Sequence, residues 1–512
     1  MLDNFASLKY FLPETILSVA VLVILTADLI AGKPSIKRSG GLSLLAIVLA
    51  LVATFARMDQ NAAYGLFGGL MAKDPLSDFF KIFFLVTTAF VGISAMRAKD
   101  AIDYTDGDKE SAEFYTLTLT TTLGMFLMAA STDLLTAFLS LEMVSIMSYI
   151  LSGFKRRNRA SSEASLKYVI YGGVASGVML YGMSLLYGLA GSTSLSGVYA
   201  ACVSTTSPAT VVVAVILCLA GFGYKIASVP FHMWCPDVYQ GAPTPVTAFL
   251  SVGPKAAGFA LLIRFFSGGI PERLGQGLET VTPWPLLLVV IACATMTLGN
   301  LAALSQTNLK RMFAYSSIAH AGYLLLGLCA GGHDGNFAIL IYLVTYLFMN
   351  IGAFVVIMAI SDAGLGEELL DYRGLGKRAP FAALTMAMFL FSLTGLPPFA
   401  GFFGKYFIFA AVVSKGGTLL VAAAVIGVLN SAVSLFYYAR VLKAMFFENA
   451  ADDAPVLVVP RLHTVNMAIM AIPTLALFIF WSPVMRFVET SLLQWLPQLT
   501  AAAPSVHAAL LP

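Results

Sequence analysis

Charged side chains are scarce in this 512-residue sequence. Lys and Arg together number 30 and Asp and Glu number 27, so that charged residues make up 11% of the chain, less than half of the roughly 25% typical of soluble domains. So few charges cannot cover the surface of a water-soluble protein of this length. Because no long stretch has a globular composition, the scarcity also excludes a large catalytic domain outside a membrane.

Cysteine is rare as well. No two of the five cysteines form a C-x-x-C pair, and no histidine stands at zinc-finger spacing from any of them. All five lie in or beside apolar segments, as is typical of small side chains packed between helices: Cys202, Cys218, Cys235, Cys293 and Cys329. The sequence therefore predicts no iron–sulfur cluster, haem or zinc site. Its net charge of +3 and its lack of a long basic tract do not indicate nucleic acid as a partner.

Long apolar runs are abundant instead. A membrane span needs about 20 mostly apolar residues, and the sequence contains fourteen such runs: about 12–31, 41–56, 76–96, 114–131, 134–153, 165–190, 209–229, 244–266, 284–304, 311–330, 336–360, 380–414, 418–446 and 464–487. The second is short. The first has no basic segment before it and no small-residue cleavage site after it, which indicates an uncleaved helix. We expect an all-α polytopic membrane protein with about fourteen transmembrane helices.

Basic residues are distributed unevenly between the two sets of loops that fourteen spans create. One set carries 19 Lys and Arg residues, and the other carries 7. Because cytoplasmic loops are enriched in Lys and Arg, the excess predicts that the first set is cytoplasmic and that both chain termini lie outside. The remaining four of the 30 basic residues lie inside spans: Lys81, Lys225, Lys255 and Lys405.

Three of these lysines and one acid stand well inside apolar spans. A charged side chain at mid-bilayer costs about 2.5–3.5 kcal/mol on insertion scales, so such residues persist where they face a polar interior. Lys225, Lys255, Lys405 and Glu142 fit that description. The alternative is a set of static buried ion pairs, but we favour a route for protons or cations. For Lys81, early in its span and three residues after Asp78, snorkelling or local pairing is the simpler expectation.

Polar residues recur at helical spacing around these charges. On several spans they fall on one helix face, and the faces consist of Glu142, Ser145, Tyr149 and Ser152; of Gly221, Lys225 and Ser228, continued by His232; of Ser316, His320 and Tyr323; of Tyr342, Tyr346 and Asn350; and of Asn430, Ser434 and Tyr438. Any single face is more often a set of interhelical hydrogen bonds than a pathway. Taken together with the four charges, they indicate a hydrated route.

Two spans are interrupted by prolines close to a lysine. Pro230 follows Lys225 by five residues, and Pro397 and Pro398 precede Lys405. Proline removes an intrahelical hydrogen bond, and interrupted spans in corresponding halves are typical of inverted-repeat transporters. We therefore predict two inverted five-helix repeats, each with a broken helix, over residues 111–270 (helices 4–8) and 280–447 (helices 9–13). Residues 1–110 form an N-terminal three-helix segment, and residues 460–512 form helix 14 and a tail.

Three motifs at these positions resemble the antiporter-like subunits of respiratory complex I, the proton-pumping NADH:quinone oxidoreductase. They are residues 230–245, PFHMWCPDVYQGAPTP; residues 308–322, NLKRMFAYSSIAHAG; and residues 395–405, GLPPFAGFFGK. The resemblance covers nearly the whole chain. Among the three paralogous subunits, one carries a glutamate at the position of Lys405 and another has a long lateral helix after its last spans. This chain resembles the third.

The resemblance implies a role for each matching residue. Glu142 and Lys225 would form a gating ion pair, and Lys255 would be the central proton relay. His320 would link two half-channels, and Lys405 would stand at the exit to the outside.

The resemblance also implies partners, cofactors and a location. It implies no cofactor and no metal in this chain, because NADH, FMN, iron–sulfur clusters and quinone would be bound by partner subunits. Other complex I membrane subunits, paralogues among them, would be its neighbours in a bacterial cytoplasmic (inner) membrane, with both termini on the periplasmic side.

Three other functions remain open from the residues alone. A subunit of a multisubunit sodium(cation)/proton antiporter would share the same intramembrane charges. An independent transporter of an organic solute would need a substrate-sized polar site, whereas the sequence offers single ionisable groups. A purely structural subunit would tolerate neutralisation of Lys225, Lys255 and Lys405.

Overall fold

The computed structural model describes residues 2–32, 35–59, 62–96, 111–271, 274, 284–450 and 457–493. Several predictions concern positions outside these described residues. They are the domain boundaries at 110 and 280, the tail residues 494–512, and five basic residues used for orientation, Lys33, Arg97, Lys99, Lys109 and Arg273.

Helices dominate the described chain. The first eleven are α1 Asn4–Tyr10, α2 Leu12–Ala31, α3 Ile36–Ala56, α4 Pro75–Ala95, α5 Ser111–Ala130, α6 Leu134–Ser152, α7 Arg159–Ala190, α8 Leu195–Ser204, α9 Pro208–Ile226, α10 Trp234–Gly241 and α11 Thr244–Gly268. Two short antiparallel strands, β1 Tyr64–Leu66 and β2 Met71–Lys73, form a hairpin before α4, with Tyr64 opposite Lys73.

The second part of the chain continues in the same way. Its helices are α12 Trp284–Ala303, α13 Leu309–Ala330, α14 Gly332–Asp362, α15 Leu375–Arg378, α16 Pro380–Thr394, α17 Ala400–Lys415, α18 Thr418–Phe447, α19 Arg461–Ile479 and α20 Ser482–Leu493. A 3₁₀ helix at Leu369–Tyr372 precedes α15, and a short 3₁₀ turn at Phe67–Gly69 joins the two strands of the hairpin.

The predicted all-α multi-pass architecture is confirmed. In the described part of the chain, twelve helices are long and apolar enough to cross a membrane. The 20-residue α5 and the interrupted pair α16–α17 occupy the two remaining predicted runs. Each of the fourteen runs thus contains a helix. The division into two inverted repeats remains a prediction.

Most helix boundaries differ from the sequence prediction by a few residues, and two spans differ in length or continuity. The second span is not short, because α3 begins at Ile36 and has 21 residues. The fourteenth run is not one helix: α19 ends at Ile479 and α20 begins at Ser482. Pro483 lacks the backbone N–H that a continuous helix would need at that point, which favours a new helix start.

Three helices form the centre of the bundle. In their most apolar windows, all residues of α11, 94% of those of α13 and 89% of those of α14 are buried. By contrast, 17% are buried in α2, which lies at the periphery. Lys255, His320 and Tyr342 therefore lie on the helices that are most enclosed by the rest of the chain.

The first interrupted span breaks immediately after Lys225. Helix α9 ends at Ile226, and Ala227 adopts a left-handed conformation with φ 59°. The backbone N–H of Val229 then donates to Thr295 Oγ1 on α12 at 3.0 Å. A neighbouring helix thus satisfies a backbone group that the break releases, as backbone groups at membrane depth require.

The second break lies between α16 and α17. Gly395 caps α16 with φ 88°, a conformation that glycine adopts without a Cβ penalty. A Cβ at Gly395 would also lie 2.9 Å from Lys405 Cδ. The N–H of Gly401, at the start of α17, donates to Ser392 Oγ at 3.1 Å. Gly395 therefore permits both the turn at the end of α16 and the close approach of the Lys405 side chain.

A glycine also sets the distance between α12 and α13. A Cβ at Gly322 would stand 2.7 Å from the backbone nitrogen of Met296 and 2.9 Å from the carbonyl oxygen of Ala292. Small residues of this kind let membrane helices approach closely. We expect Gly322→Ala to destabilise the chain by about 1–3 kcal/mol, because backbone atoms cannot move aside as a side chain can.

Gly173→Ala is the matched control. Gly173 is also helical, and nothing lies within 4 Å of the Cβ that would be added there. Thermal unfolding of the assembled membrane complex should show a lowered midpoint for Gly322→Ala only. Equal midpoints for the two variants would contradict the assigned α12–α13 contact.

Candidate functional site

Glu142 and Lys225 face each other across α6, α7 and α9. Glu142 lies in the middle of α6, and its Oε1 accepts a hydrogen bond from Ser176 Oγ on α7. Lys225 is buried in the last turn of α9, and its Nζ donates to Ser145 Oγ on α6 at 3.0 Å. Both side chains therefore end on serine hydroxyls.

The predicted Glu142–Lys225 ion pair is not formed in this structure. No ion pair joins the two groups in the part of the chain described, so the structure holds the open arrangement of the expected pair, and the gating role itself stays a prediction. The lysine is bound to Ser145, which stands three residues, or about one helical turn, from Glu142 on α6. A change of side-chain partner from Ser145 to Glu142 would close the pair.

Lys255 lies halfway along α11, directly after Pro254, which interrupts the hydrogen-bond ladder of the helix. Its Nζ donates to both the carbonyl oxygen of Ser317, at 2.6 Å, and the hydroxyl of the same residue. Tyr346 donates to that hydroxyl at 2.9 Å, and the Tyr239 hydroxyl lies 3.3 Å from it. Ser317 thus joins the central lysine to two buried tyrosines.

His320 lies one turn after Ser317 on α13. Its Nδ1 is 2.6 Å from the hydroxyl of Tyr342, and its ring centroid is 5.1 Å from that of Tyr346 and 5.9 Å from that of Tyr323. Tyr346 donates a hydrogen bond to Ser317, and the Tyr323 ring contacts Lys405 at the second break. The histidine therefore lies between the Lys255 site and the second break, and its role as a link between two half-channels stays a prediction.

Lys405 closes the series at the α16–α17 break. Its Nζ donates to the carbonyl oxygen of Thr394, the last residue of α16, at 2.8 Å, and to Ser431 Oγ on α18 at 2.7 Å. The same Nζ lies 4.7 Å from the centre of the Tyr323 ring, within the range of a cation–π contact. Lys405 is 5% exposed.

Both break-associated lysines lie at the C-terminal end of a half-helix. Lys225 is in the final turn of α9, and Lys405 binds the final carbonyl of α16. The C-terminus of a helix carries a partial negative charge from its unpaired carbonyl groups, so each break favours a cation. The two sites thus use the same electrostatic device although the lysine precedes one break and follows the other.

The structure brings most of the predicted residues into one series. Hydrogen bonds or ring contacts connect Lys255 to His320 and His320 to Lys405 through intervening side chains. Between Lys225 and Lys255 the link is packing only: a Cβ at Gly258, three residues after Lys255, would lie 3.5 Å from Lys225 Cγ. The two lysines are therefore neighbours without a shared hydrogen bond in the described chain.

The other predicted polar faces also find partners across helices. Ser316 bonds to Tyr438 at 2.5 Å, and Asn350 donates to Ser251 at 2.6 Å. Asn430 accepts from the side-chain amide of Asn300 at 3.3 Å. These contacts fit interhelical hydrogen bonding, the common reading of such faces.

Three serines that contact the charges were missed by sequence reasoning. Ser176, Ser317 and Ser431 each hydrogen-bond one of the predicted residues. Ser317 and Ser431 left a signal, because each adjoins a residue of a predicted polar face, Ser316 and Asn430, and lies three residues before another. Ser176 follows no pattern in its span that distinguishes it from other serines.

Several basic residues are not where the sequence placed them. Lys81 neither snorkels nor pairs with Asp78: it is buried and forms an ion pair of 2.6 Å with Glu14 on α2. Lys73, Arg264 and Lys310 were expected in water-facing loops and are at most 5% exposed, each in an ion pair. Apolar helices from distant parts of the chain enclose these residues, and no local sequence pattern predicts that they are buried.

Charged groups outside the spans fix the segment between α9 and α11. Asp237 on α10 accepts from Lys167 and from Arg311, both at 2.6 Å. Burial alone would raise the pKa of Asp237, but these two hydrogen bonds hold it below its ordinary value. The carboxylate therefore stays ionised and ties α10 to α7 and α13, which carry Ser176 and His320.

Lys155, in the connection between α6 and α7, is a basic group outside the spans whose pKa is lowered. Burial, together with the positive charge of Lys310 and against the opposing charge of Glu367, lowers the pKa of Lys155 to about 8. The residue therefore titrates much nearer to neutral pH than an exposed lysine.

Comparison with known proteins places this geometry in context. Residues 131–431, more than half of the chain, match the family described as NADH:quinone oxidoreductase/Mrp antiporter, TM. NADH-quinone oxidoreductase subunit N 2 of Sorangium cellulosum (strain So ce56) is 49% identical over 503 residues, which cover 96% of this chain and 98% of that protein.

Solved structures share the fold. A chain of respiratory complex I from Thermus thermophilus with bound aureothin aligns with a TM-score of 0.77 and 31% identity over 93% of this chain and 99% of that one. A chain of the Mrp complex from Dietzia sp. DQ12-45-1b aligns with a TM-score of 0.81 over 97% of this chain and 99% of that one, at 20% identity. At that identity the Mrp alignment establishes the fold alone. The chain belongs to the NADH:quinone oxidoreductase/Mrp antiporter membrane family.

Proposed function

We propose that the chain is a proton-translocating membrane subunit, of the subunit N type, in a proton-pumping NADH:quinone oxidoreductase (complex I). It moves protons from the cytoplasm to the outside, coupled to electron transfer from NADH to quinone in other subunits. The observation that carries the proposal is the buried series of Glu142, Lys225, Lys255, His320 and Lys405, each held by a hydroxyl or carbonyl group. Relatives with this name align over almost the full chain.

The Glu142–Lys225 pair acts as the switch. At an effective dielectric constant near 20 and a separation of about 4 Å, an ion pair contributes about 4 kcal/mol. Moving one charge across about 100 mV costs about 2.3 kcal/mol. The two energies are comparable, so that one such switch per proton moved is energetically sensible. The open arrangement, with Lys225 on Ser145, is one of the two states.

From Lys225 the proton passes to Lys255 and then along hydroxyl groups. Ser317, Tyr346 and His320 lead from Lys255 towards Tyr323, where Lys405 receives the charge. Hydroxyl groups both donate and accept hydrogen bonds, which suits them to relay a proton between two lysines. Lys405 then releases it on the exit side.

The remaining features follow from the same role. The chain itself holds no cofactor or metal: NADH, FMN, iron–sulfur clusters and quinone belong to partner subunits. Its neighbours are other complex I membrane subunits, including its paralogues. It lies in a bacterial cytoplasmic (inner) membrane with both termini on the periplasmic side, as the uneven distribution of basic residues between the two sets of loops supports.

A subunit of a multisubunit sodium(cation)/proton antiporter is the second candidate, because the Mrp complex chain shares the fold. Identifying the proteins that co-purify with the chain separates the two. Peripheral iron–sulfur subunits support complex I, and antiporter subunits without redox partners contradict it. A proton-pumping assay on the same preparation, started with NADH and quinone, then tests the activity itself.

Removing either member of the switch should disable pumping. We expect Glu142→Ala or Lys225→Ala in the assembled complex to lower proton pumping and coupled quinone reduction about tenfold or more, since a positioned proton-transfer group typically contributes at least that factor. Pumping is measured in inverted membrane vesicles with a pH-sensitive dye. Full pumping by both variants would refute the assigned switch, and intact turnover after neutralising Lys225, Lys255 and Lys405 would indicate a purely structural subunit.

The exit residue has a control on its own helix. Lys405 and Lys415 both lie on α17, the first buried and the second exposed at the helix end. We expect Lys405→Ala to reduce pumping about tenfold or more, because the variant lacks the ammonium group that carries the proton beside the carbonyl of Thr394. Lys415→Ala should pump at the normal rate in the same vesicle assay. Similar rates for the two variants would remove Lys405 from the route.

A further inference from the structure

A second group of buried charges lies apart from the relay, where the hairpin meets the ends of α2, α4 and α11. Three acids and three bases form this hairpin cluster, and each side chain is at most 5% exposed. Its members are Glu14, Lys73, Asp74, Asp78, Lys81 and Arg264. None belongs to the Glu142–Lys405 series. Burying six charges is costly unless all of them are paired.

Alternating charges run through one half of the cluster. Lys81 pairs with Glu14 at 2.6 Å, and Lys73 pairs with Asp78. Asp78 lies three residues before Lys81 on α4, and the charges of Lys73 and Lys81 both act on its carboxylate. Asp78 therefore lies between the two positive charges of Lys73 and Lys81.

The other half attaches the row to the central helix of the bundle. Arg264, near the end of α11, binds both oxygens of Asp74 at 2.7 and 2.9 Å and also donates to the carbonyl of Ala129. Burial alone would raise the pKa of Asp74, but Arg264 holds it below its ordinary value. This pair therefore stays charged. Arg264 lies nine residues after Lys255 on α11.

Two oxygen atoms in the cluster lack a hydrogen-bond partner. Within the described chain, Glu14 Oε2 and Asp78 Oδ1 are buried and accept no hydrogen bond. A cluster that served only to hold helices together would be most stable with every such atom paired. An unpaired carboxylate oxygen in a buried site favours the neutral, protonated form of its group.

Of the two acids, Asp78 is the one whose ion-pair partner lies outside the spans. Its partner Lys73 belongs to the hairpin rather than to a span. Burial lowers the pKa of Lys73, and the adjacent carboxylate of Asp78 opposes that effect only in part. Lys73 therefore gives up a proton more readily than an exposed lysine. Glu14, by contrast, is paired with Lys81 inside α4.

We propose that the hairpin cluster is a second proton-binding site of this chain, with Asp78 as the acceptor and Lys73 as its donor. An N–H bond of the Lys73 ammonium breaks and an O–H bond forms at Asp78, leaving a neutral amine. The lone pair of that amine then takes a proton from water beside the hairpin. One proton is bound in total, and the net charge of the six groups rises from zero to +1.

The charged groups around Asp78 determine the pH at which it binds the proton. Lys73 and Lys81 oppose protonation of the carboxylate, whereas Asp74 favours it. Glu14 and Arg264 reach Asp78 indirectly, through their pairs with Lys81 and Asp74. Removing one of the two lysines should therefore raise the pH at which the site fills.

Infrared difference spectroscopy of the assembled complex in membranes tests the site directly. Lowering the pH of the perfusing buffer should produce the carbonyl-stretch signal of a protonated carboxylic acid. The signal should shift when the complex carries aspartate labelled with ¹³C at the side-chain carboxyl group, which separates it from glutamates such as Glu14 and Glu142. This measurement does not depend on pumping. Its failure would therefore be distinguishable from a failure of the proposed function.

Two variants assign the signal, and a third serves as control. Asp78→Asn should abolish it. Lys73→Met should move its midpoint to higher pH by about one unit or more, because the opposing positive charge is gone. Glu163→Gln, on the exposed side of α7, removes a carboxyl group of similar charge at the surface and should leave both signal and midpoint unchanged.

Three results would overturn the proposal. They are the absence of any aspartate-derived signal in the unmodified complex, an undiminished signal in Asp78→Asn, and an unchanged or lowered midpoint in Lys73→Met. If Asp78→Asn fails to assemble, the labelled unmodified complex and Lys73→Met decide the question between them.

Discussion

Every ionisable side chain inside this bundle must find its polar partner within the protein, because hydrocarbon offers none and a buried unpaired charge is expensive. The structure meets this constraint in two ways. The lysines of the proposed relay end on neutral oxygens, such as those of Ser145, Ser317 and Thr394. The hairpin cluster instead pairs charge with charge. Neutral partners allow a lysine to lose its proton without leaving an opposite charge unpaired, which suits a relay.

The breaks in α9 and in the α16–α17 span follow from the same constraint. Each break exposes carbonyl groups at the end of a half-helix, and a lysine lies at that end. Serine or threonine hydroxyls of neighbouring helices take up released N–H groups, as Thr295 does for Val229 and Ser392 does for Gly401. The interruptions are therefore built into the packing, and they provide polar positions at depths where regular helices would present only apolar side chains.

Much of this arrangement was predictable from the sequence, and what was missed has a common cause. Hydropathy located the helices and singled out Glu142 and Lys225, because a rare charge in an apolar run is visible by itself. Ser145 lay on a predicted polar face, but the partner Ser176 was invisible, since the rotation of one helix against another decides which of many serines meets a charge. The burial of Lys73 and Arg264 was missed for a similar reason: near a helix end, the sequence cannot distinguish a loop in water from a pocket between helices.

The amino-acid sequence by itself determined a multi-pass helical chain, the lysines at its two interrupted spans and the family whose motifs it carries. Each of these depends on local composition and spacing, which hydrophobic burial and proline chemistry translate directly into structure. Only the tertiary structure decided that Glu142 and Lys225 stand apart on two serines, that His320 lies between Lys255 and Lys405, and that six further charges meet beside the hairpin. Those contacts join residues far apart in the chain, and only close packing of the helices sets which side chains come within hydrogen-bonding distance.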